Sequence, residues 1–195
     1  MIKYHLLSLF NLSMENTKNQ MPLYAKNFFD KLSNYLNTKI YYFGSIQRYD
    51  YFPKSSDIDV DIFTDNEAQT INYLMNFLGL QKYEFKKFVY KLHKTNKLVY
   101  GHKVKYKEPH NNFAVEISIY NENIKNEVLR EHNSKMNIPI YASVLLVIFK
   151  YLYYNLNLLS KSNYKYFKGL IINYLVEGQD VEFVTTDIPK HKDIN

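Results

Sequence analysis

The feature that most constrains this chain is a short run, residues 57–63, in which acidic and aliphatic side chains alternate (DIDVDIF). Alternation predicts a β-strand, because successive side chains of a strand point to opposite faces. Asp57, Asp59 and Asp61 would share one face, with neighbours about 6.6 Å apart at roughly 3.3 Å per residue. The aliphatic side chains between them would point the other way and anchor the strand in a core.

Three carboxylates on one face of a strand repel one another, and a bound cation would offset that repulsion. Carboxylate oxygens are hard ligands that suit Mg²⁺ or Mn²⁺. The plainer interpretation is an exposed strand whose acids face water, and the alternating run alone leaves both interpretations open. Two other parts of the sequence favour a metal site.

The first is Gly44-Ser45, which directly follows a short β-rich run, residues 39–43. Glycine at such a turn allows close approach of the backbone, and exposed N–H groups with a serine hydroxyl can hold a phosphate. Eleven residues, 46–56, separate Ser45 from Asp57, enough chain to return to a neighbouring strand. A lone Gly-Ser pair is a common turn, so its weight comes from this spacing.

The second is Glu116, in another alternating run, residues 113–120 (FAVEISIY). Glu116 shares a face with Ala114 and Ser118, and the apolar side chains of the run form the opposite face. Paired beside the acidic strand, Glu116 would complete a three-acid site. As a solitary acid on an exposed strand it would need no partner, and the sequence leaves that alternative open.

The order of predicted elements indicates an α+β fold of α/β-like character, with a small mixed β-sheet flanked by helices and followed by a C-terminal helical segment. Predicted helices cover residues 22–37, 66–79, 123–132, 140–158 and 164–176, and predicted strands cover residues 39–43, 57–63, 97–100, 103–107 and 113–120. Gly101-His102 is expected to form a hairpin turn, while residues 85–92 fit either a helix or a strand. We place a catalytic domain in residues 1–135 and a helical segment with a tail in residues 136–195. The tail from Gly178 is expected to be loosely ordered.

Charge and cysteine content narrow the partners and the compartment. A net charge of +6 and a pI near 9.1 favour a polyanionic partner, such as nucleic acid or nucleotide phosphates, although a solvated lysine surface is the plainer explanation. The absence of cysteine excludes disulfides and fits a reducing, cytoplasmic compartment. Residues 1–12 lack a signal-peptide cleavage site. Lys150 and Pro139 indicate that the apolar stretch 138–159 is a buried amphipathic helix, so no membrane association is expected.

Two weaker patterns concern histidine and tyrosine. His93, His102, His110 and His132 show no metal-ligand spacing, and we expect each of them at the surface or in a loop. Tyrosine and lysine interleave at residues 164–168 (YKYFK), a composition that can stack on and steer nucleic acid. Such spacing is more typical of a helix with one core side and one solvated side.

The run GSIQRYDYFPKSSDIDV, residues 44–60, resembles the signature of the DNA polymerase β-like nucleotidyltransferase superfamily, and within it the minimal nucleotidyltransferases. That signature is a hydrophobic residue, Gly-Ser, a spacer of about this length, and two acids alternating with hydrophobic residues. The resemblance covers roughly residues 39–120. It implies a metal-dependent enzyme that transfers a nucleoside monophosphate from a nucleoside triphosphate, with ATP the expected donor, to a hydroxyl acceptor.

By this resemblance Asp57 and Asp59 are the paired metal ligands and Glu116 is the third catalytic acid, together holding two Mg²⁺ or Mn²⁺ ions. Asp61 is an alternative ligand if the motif is registered on Asp59 and Asp61. The Ser56-Asp57 pair favours the earlier register.

The same resemblance assigns the nucleotide contacts. Gly44 and Ser45 would contact the β- and γ-phosphates of the nucleotide, and Arg48 would assist at the phosphates. Tyr49 stands where the family often has glycine, and Glu116 stands where it more often has aspartate. The alternative to an enzyme is therefore a catalytically silent nucleotide-binding or antitoxin-like regulatory protein.

The acceptor and any protein partner stay open on the sequence. An RNA or DNA end as the acceptor agrees with the net positive charge of the chain, and a small molecule or a protein hydroxyl agrees with its short length. Minimal members of the superfamily commonly act beside a second protein. The helical surface from Ile140 onward is the predicted partner face.

Overall fold

The computed structural model describes residues 14–92, 95–108, 113–177 and 184–186. Its sheet has six strands in the order β1-β2-β5-β4-β3-β6. Their bounds are β1 Tyr41–Phe43, β2 Ile58–Thr64, β3 Lys86–Lys91, β4 Leu98–Glu108, β5 Phe113–Asn121 and β6 Val184–Thr186. The central β2–β5 pair is parallel, and the other four neighbouring pairs are antiparallel. The prediction of an α+β fold with a small mixed sheet is confirmed.

Five α-helices lie wholly within the described residues, and the first two begin and end within one residue of the predicted bounds. Their bounds are α1 Leu23–Leu36, α2 Glu67–Leu78, α3 Lys125–Met136, α4 Ile140–Tyr154 and α5 Lys161–Leu170, after which π-helical turns cover Ile171–Glu177. The Asn66 side chain caps α2 by accepting a hydrogen bond from the Gln69 N–H. Gly79, at a φ of +67°, ends the same helix in the left-handed conformation that glycine adopts without strain.

The sheet separates two hydrophobic cores. The face that carries Ile58, Val60 and Ile62 packs against α1 and α2. The opposite face packs against α3, which contributes Val128, Leu129 and Met136. Because side chains alternate along β2, Asp59 and Asp61 lie on the α3 side of the sheet, and Asp57 immediately precedes the strand.

The predicted hairpin turn at Gly101-His102 is wrong. β4 runs without interruption through both residues, and Gly101 pairs with Phe88 on one side and with Tyr120 on the other. A Cβ at Gly101 would lie 2.7 Å from the backbone oxygen of Ile119 and 3.0 Å from the Phe88 ring. The glycine therefore permits close packing inside a strand, which a turn-based interpretation of a lone glycine misses. The ambiguous residues 85–92 form β3.

The C-terminal part is helical as predicted, although α4 ends at Tyr154 and α5 already begins at Lys161. Within the tail that was expected to be loosely ordered, Val184–Thr186 forms a strand paired with β3. The remainder of that tail lies outside the described residues. Within the parts of the chain that the structure describes, no single helix is long and apolar enough to cross a membrane. Helices 122–136 and 140–154 would reach that length only together, across a bend of 83°.

Helix α4 exposes a row of large apolar side chains along one side. They are Ile140, Tyr141, Val144, Leu145, Ile148 and Tyr151. A protein partner on this surface stays a prediction, as does the division of the chain at residue 135.

Candidate active site

Strand register brings two of the predicted acids together. In the parallel pair, Asp59 of β2 lies directly opposite Glu116 of β5, on strands that pack about 4.8 Å apart. On the other side of β2, Asp59 pairs with Phe43, the last residue before the Gly-Ser turn. Asp59 is therefore the point at which all three parts of the predicted motif meet.

The Gly-Ser turn lies against the Asp59 carboxylate. Gly44 has a φ of +70°, and a Cβ built on it would lie 2.1 Å from Asp59 Oδ2. No side chain fits in that space, so this close approach of backbone to carboxylate requires glycine. Gly44 and Ser45 open a 3₁₀ turn, residues 44–47, in which Ser45 is buried.

Asp59 lies half-buried at the floor of a pocket. Burial, followed by the charges of Glu116 and Asp57, raises the pKa of Asp59 to about 6, while Lys168 and Arg48 act in the opposite direction. A carboxylate that is desolvated and beside other acids is stabilised by a cation. Together with the exposed Asp57, it offers the hard oxygen donors that fit Mg²⁺ or Mn²⁺.

Glu116 is held differently. Its two oxygens pair with the ammonium groups of Lys103, at 2.7 Å, and Lys105. Burial alone would raise the pKa of Glu116, but these lysines hold it below its usual value. Within the described residues, no three acids or histidines converge on one point as a metal-binding cluster. Asp57 and Asp59 thus fit a metal as a pair, whereas Glu116 would first have to leave its lysines.

Asp61, the alternative ligand, is fully buried below the pocket. Its Oδ2 lies 3.0 Å from Nε2 of His132, whose ring stacks on Phe43 with centroids 4.1 Å apart. Burial raises the pKa of Asp61, and the neighbouring His132 partly offsets that rise. Asp61 of β2 thus faces His132 of α3 within the core.

The expectation that His132 lies at the surface is wrong. It is buried, four residues after the buried Val128 and four before the buried Met136. That spacing marks one face of a helix, and it is the sequence pattern that could have placed His132 inside. His102 is half-buried in β4, with Nδ1 3.1 Å from Oε2 of Glu67, and His93 and His110 lie outside the described residues.

Arg48, predicted to contact phosphates, forms a two-pronged hydrogen bond with a buried carboxylate. Its Nε and one terminal nitrogen donate to Asp50 at 2.8 Å and 3.2 Å. Asp50 also pairs with Lys150 of α4, whose Nζ lies 3.1 Å away. Burial would raise the pKa of Asp50, but the two cations hold it below its usual value. No pattern in the sequence singles out Asp50, and Lys150 served there only as evidence against a membrane span.

One pocket of about 530 Å³ is lined by every predicted site residue except the alternative Asp61. Six lysines line it as well, from β4, α3, α4 and α5: Lys105, Lys135, Lys150, Lys161, Lys165 and Lys168. Tyr153, Tyr154 and Tyr164 add aromatic surface from the C-terminal helices. The YKYFK run therefore contributes to the pocket through Tyr164, Lys165 and Lys168. The sequence had favoured a helix with one side in the core and the other in solvent.

This fold, with a Gly-Ser turn against an acidic strand in a basic pocket, defines a nucleotidyltransferase-type domain. The chain belongs to the nucleotidyltransferase domain family, whose model matches residues 25–133. The resemblance found in the sequence is thereby confirmed. Family membership supports nucleotidyl transfer as the general class of reaction.

Similar solved structures include a chain described under "Structural Plasticity of Cid1 Provides a Basis for its RNA Terminal Uridylyl Transferase Activity", at 16% identity and a TM-score of 0.34. A second is a chain of the "GLD-2/RNP-8 complex", at 14% identity and a TM-score of 0.34. The alignments cover 76% and 77% of this chain but only 45% and 65% of those chains. Likenesses this weak carry no argument about activity. No curated protein matches the sequence.

Proposed function

We propose that the protein catalyses metal-dependent transfer of a nucleoside monophosphate from a nucleoside triphosphate to a hydroxyl acceptor. The observation that carries this proposal is the position of Asp59, which lies beside Glu116 and against the Gly44 turn on the floor of a lysine-lined pocket. Acidic residues in a pocket of about 530 Å³ that is also lined by lysines suit a triphosphate that arrives with its metal.

The donor triphosphate would lie between the Gly44-Ser45 turn and α5. Backbone N–H groups of a tight turn hold phosphate oxygens, and the α5 lysines neutralise the charge that develops on pyrophosphate. These lysines are Lys161, Lys165 and Lys168. ATP is the first donor to test.

Asp57 and Asp59 would hold Mg²⁺ or Mn²⁺, as one ion or as the first of two. The chemistry supplied by the bound ions is neutralisation of phosphate charge and a lowered pKa of the acceptor hydroxyl. Glu116 would serve as a further ion ligand. Lys103 and Lys105 would then turn from Glu116 to phosphate oxygens.

A nucleic-acid end is the acceptor that we favour. Lys103, Lys105 and Lys107 alternate along β4, so they share the face of the sheet that carries Glu116, at a spacing of about 6.6 Å. A row of cations that leads to the reacting carboxylates suits a phosphodiester backbone. Small-molecule and protein hydroxyls are the alternatives that the acceptor assay includes.

A second candidate is a silent nucleotide-binding regulatory protein on the same scaffold. It is favoured by one observation, the pairing of Glu116 with two lysines, because such pairing can replace the metal that an active site needs. This candidate predicts triphosphate binding that neither needs a metal nor leads to turnover.

The deciding experiment measures transfer of label from the four nucleoside triphosphates to RNA, DNA, small-molecule and protein acceptors with Mg²⁺ or Mn²⁺. Asp57→Asn and Asp59→Asn should each lower the rate at least about 100-fold. Lys125→Met serves as the control, since Lys125 pairs with Glu122 away from the pocket. Full activity in either aspartate variant would refute the proposal. Metal-independent binding without transfer would establish the silent alternative.

A further inference from the structure

We propose that Lys150 of α4 is a positioning residue, which holds the loop between the Gly-Ser turn and the acidic strand so that Asp57 faces the pocket. The catalytic meaning of this inference rests on the proposed function, but the structural claim can be tested separately. Nothing in the family signature includes Lys150, which lies outside the matched residues 25–133.

The Lys150 ammonium contacts both ends of the loop. Its Nζ lies 3.1 Å from Asp50 Oδ2, and it donates hydrogen bonds to the Asp50 backbone oxygen and, at 3.2 Å, to Ser56 Oγ. Asp50 lies near the start of the loop, and Ser56 is its last residue before Asp57. One cation thus joins two points of the loop from a helix about 100 residues further along the chain.

The contact is enclosed by protein. The Lys150 side chain is 3% exposed and that of Asp50 is fully buried. A buried ammonium is costly unless its hydrogen bonds are satisfied, and here three acceptors surround it. Charged hydrogen bonds in such surroundings are strong and directional, so they restrict the loop more than a surface lysine could.

Ser56 connects this contact to the metal ligands. Its hydroxyl also accepts a hydrogen bond from the Phe52 N–H at 3.1 Å, and its own N–H donates to the Phe52 oxygen at 2.8 Å. These bonds close a turn whose next residue is Asp57. Because Asp57 is itself exposed, its direction depends on the backbone that precedes it.

Arg48 completes the cluster from the Gly-Ser side. Its side chain is 9% exposed and donates hydrogen bonds to the same Asp50 carboxylate that Lys150 contacts. The carboxylate of Asp50 therefore couples the end of the Gly-Ser turn to α4. Lys150 thereby connects α4, which packs against α5 and its pocket lysines, to the motif loop.

The test compares Lys150→Met with Lys125→Met, since Lys125 is a half-buried cation that pairs with Glu122 and does not line the pocket. Hydrogen exchange of residues 49–57 should accelerate at least about tenfold in Lys150→Met and stay unchanged in Lys125→Met, although both lower the melting temperature. In transfer assays, kcat should fall about 10- to 100-fold in Lys150→Met with a smaller change in KM.

Ser56→Ala removes one contact without leaving a buried charge, so it keeps the inference testable if Lys150→Met does not fold. It should raise loop exchange in the same direction, by a smaller factor. Unchanged loop exchange in either folded variant would overturn the inference, as would a kcat loss no larger than that of Lys125→Met. If the wild-type protein shows no transfer at all, the proposed function fails, while the exchange measurement still decides the role of Lys150.

Discussion

The β-sheet and the C-terminal helices contribute different kinds of residue to the same pocket. The sheet contributes the carboxylates of Asp59 and Glu116 and the Gly44 turn, each placed by strand register. Helices α4 and α5 contribute cations and tyrosines that belong to no motif. Metal chemistry needs fixed distances between ligands, which paired strands provide. Phosphate binding depends more on summed charge, which several arrangements of helical lysines can provide.

The largest effect should come from Gly44→Ala, which tests the sheet side. The new methyl group would meet the Asp59 carboxylate, and the backbone would be strained at positive φ. We expect transfer to fall at least about 100-fold and stability to fall by about 2–4 kcal/mol. Gly79→Ala is the matched control, since it has nearly the same φ but nothing within 4 Å of the added carbon. Equal losses of activity in both variants would contradict the role of Gly44 beside Asp59.

Reversing charge on α5 tests the helical side. The double variant Lys165→Glu with Lys168→Glu should raise KM for ATP about 30-fold, at roughly 1 kcal/mol per reversed charge near the surface. The metal requirement should not change, because the carboxylates stay in place. Lys26→Glu with Lys31→Glu on the exposed side of α1 controls for net charge. A lower kcat with an unchanged KM would show that α5 serves the reaction step and not donor binding.

Asp61→Asn separates a structural acid from the functional ones. Because burial raises the pKa of Asp61, replacing its carboxylate with a neutral amide should raise the free energy of unfolding in thermal denaturation near neutral pH. Transfer by the folded variant should stay within about threefold of wild type. Loss of transfer in a folded variant would instead show that the metal ligands are Asp59 and Asp61, the alternative register of the motif.

The smallest effect concerns pH and Asp59 in the metal-free protein. Its pKa is raised by folding, so the stability that it contributes is fully present below the ordinary value near 3.8 and is lost as pH rises through about 6. Asp59→Asn should therefore melt at a higher temperature than wild type near pH 7.5, by about 1–2 kcal/mol in stability. The difference should shrink towards pH 4. A constant difference across this range would show that Asp59 is not desolvated.

Much of the sheet side could be predicted from the sequence, because the patterns that determine it lie within short runs of residues. The alternation at residues 57–63 and 113–120 encodes both the strands and their buried faces, and the Gly-Ser spacing indicates the neighbouring turn. Gly101 was misinterpreted because a glycine needed for close packing within a strand looks the same in sequence as a glycine in a turn. The difference lies in Phe88 and Ile119, which only the assembled sheet brings near.

The helical side could not be predicted at the level of residues. Lys150 and Asp50 are about 100 positions apart, and no periodic pattern relates a buried lysine in one helix to a loop acid in another part of the chain. The YKYFK run had the composition of a binding surface, but its role depends on how α5 packs over the pocket. His132 is an exception among the helical residues, because its four-residue spacing from the buried Val128 and Met136 was enough to predict that it is buried.

Binding of Mn²⁺, measured by electron paramagnetic resonance with a non-hydrolysable ATP analogue, tests the central claim most directly. We predict that the wild-type protein and Asp61→Asn bind the ion, and that Asp57→Asn and Asp59→Asn weaken binding at least about tenfold while they stay folded. Undiminished binding in the Asp59→Asn variant would contradict the account.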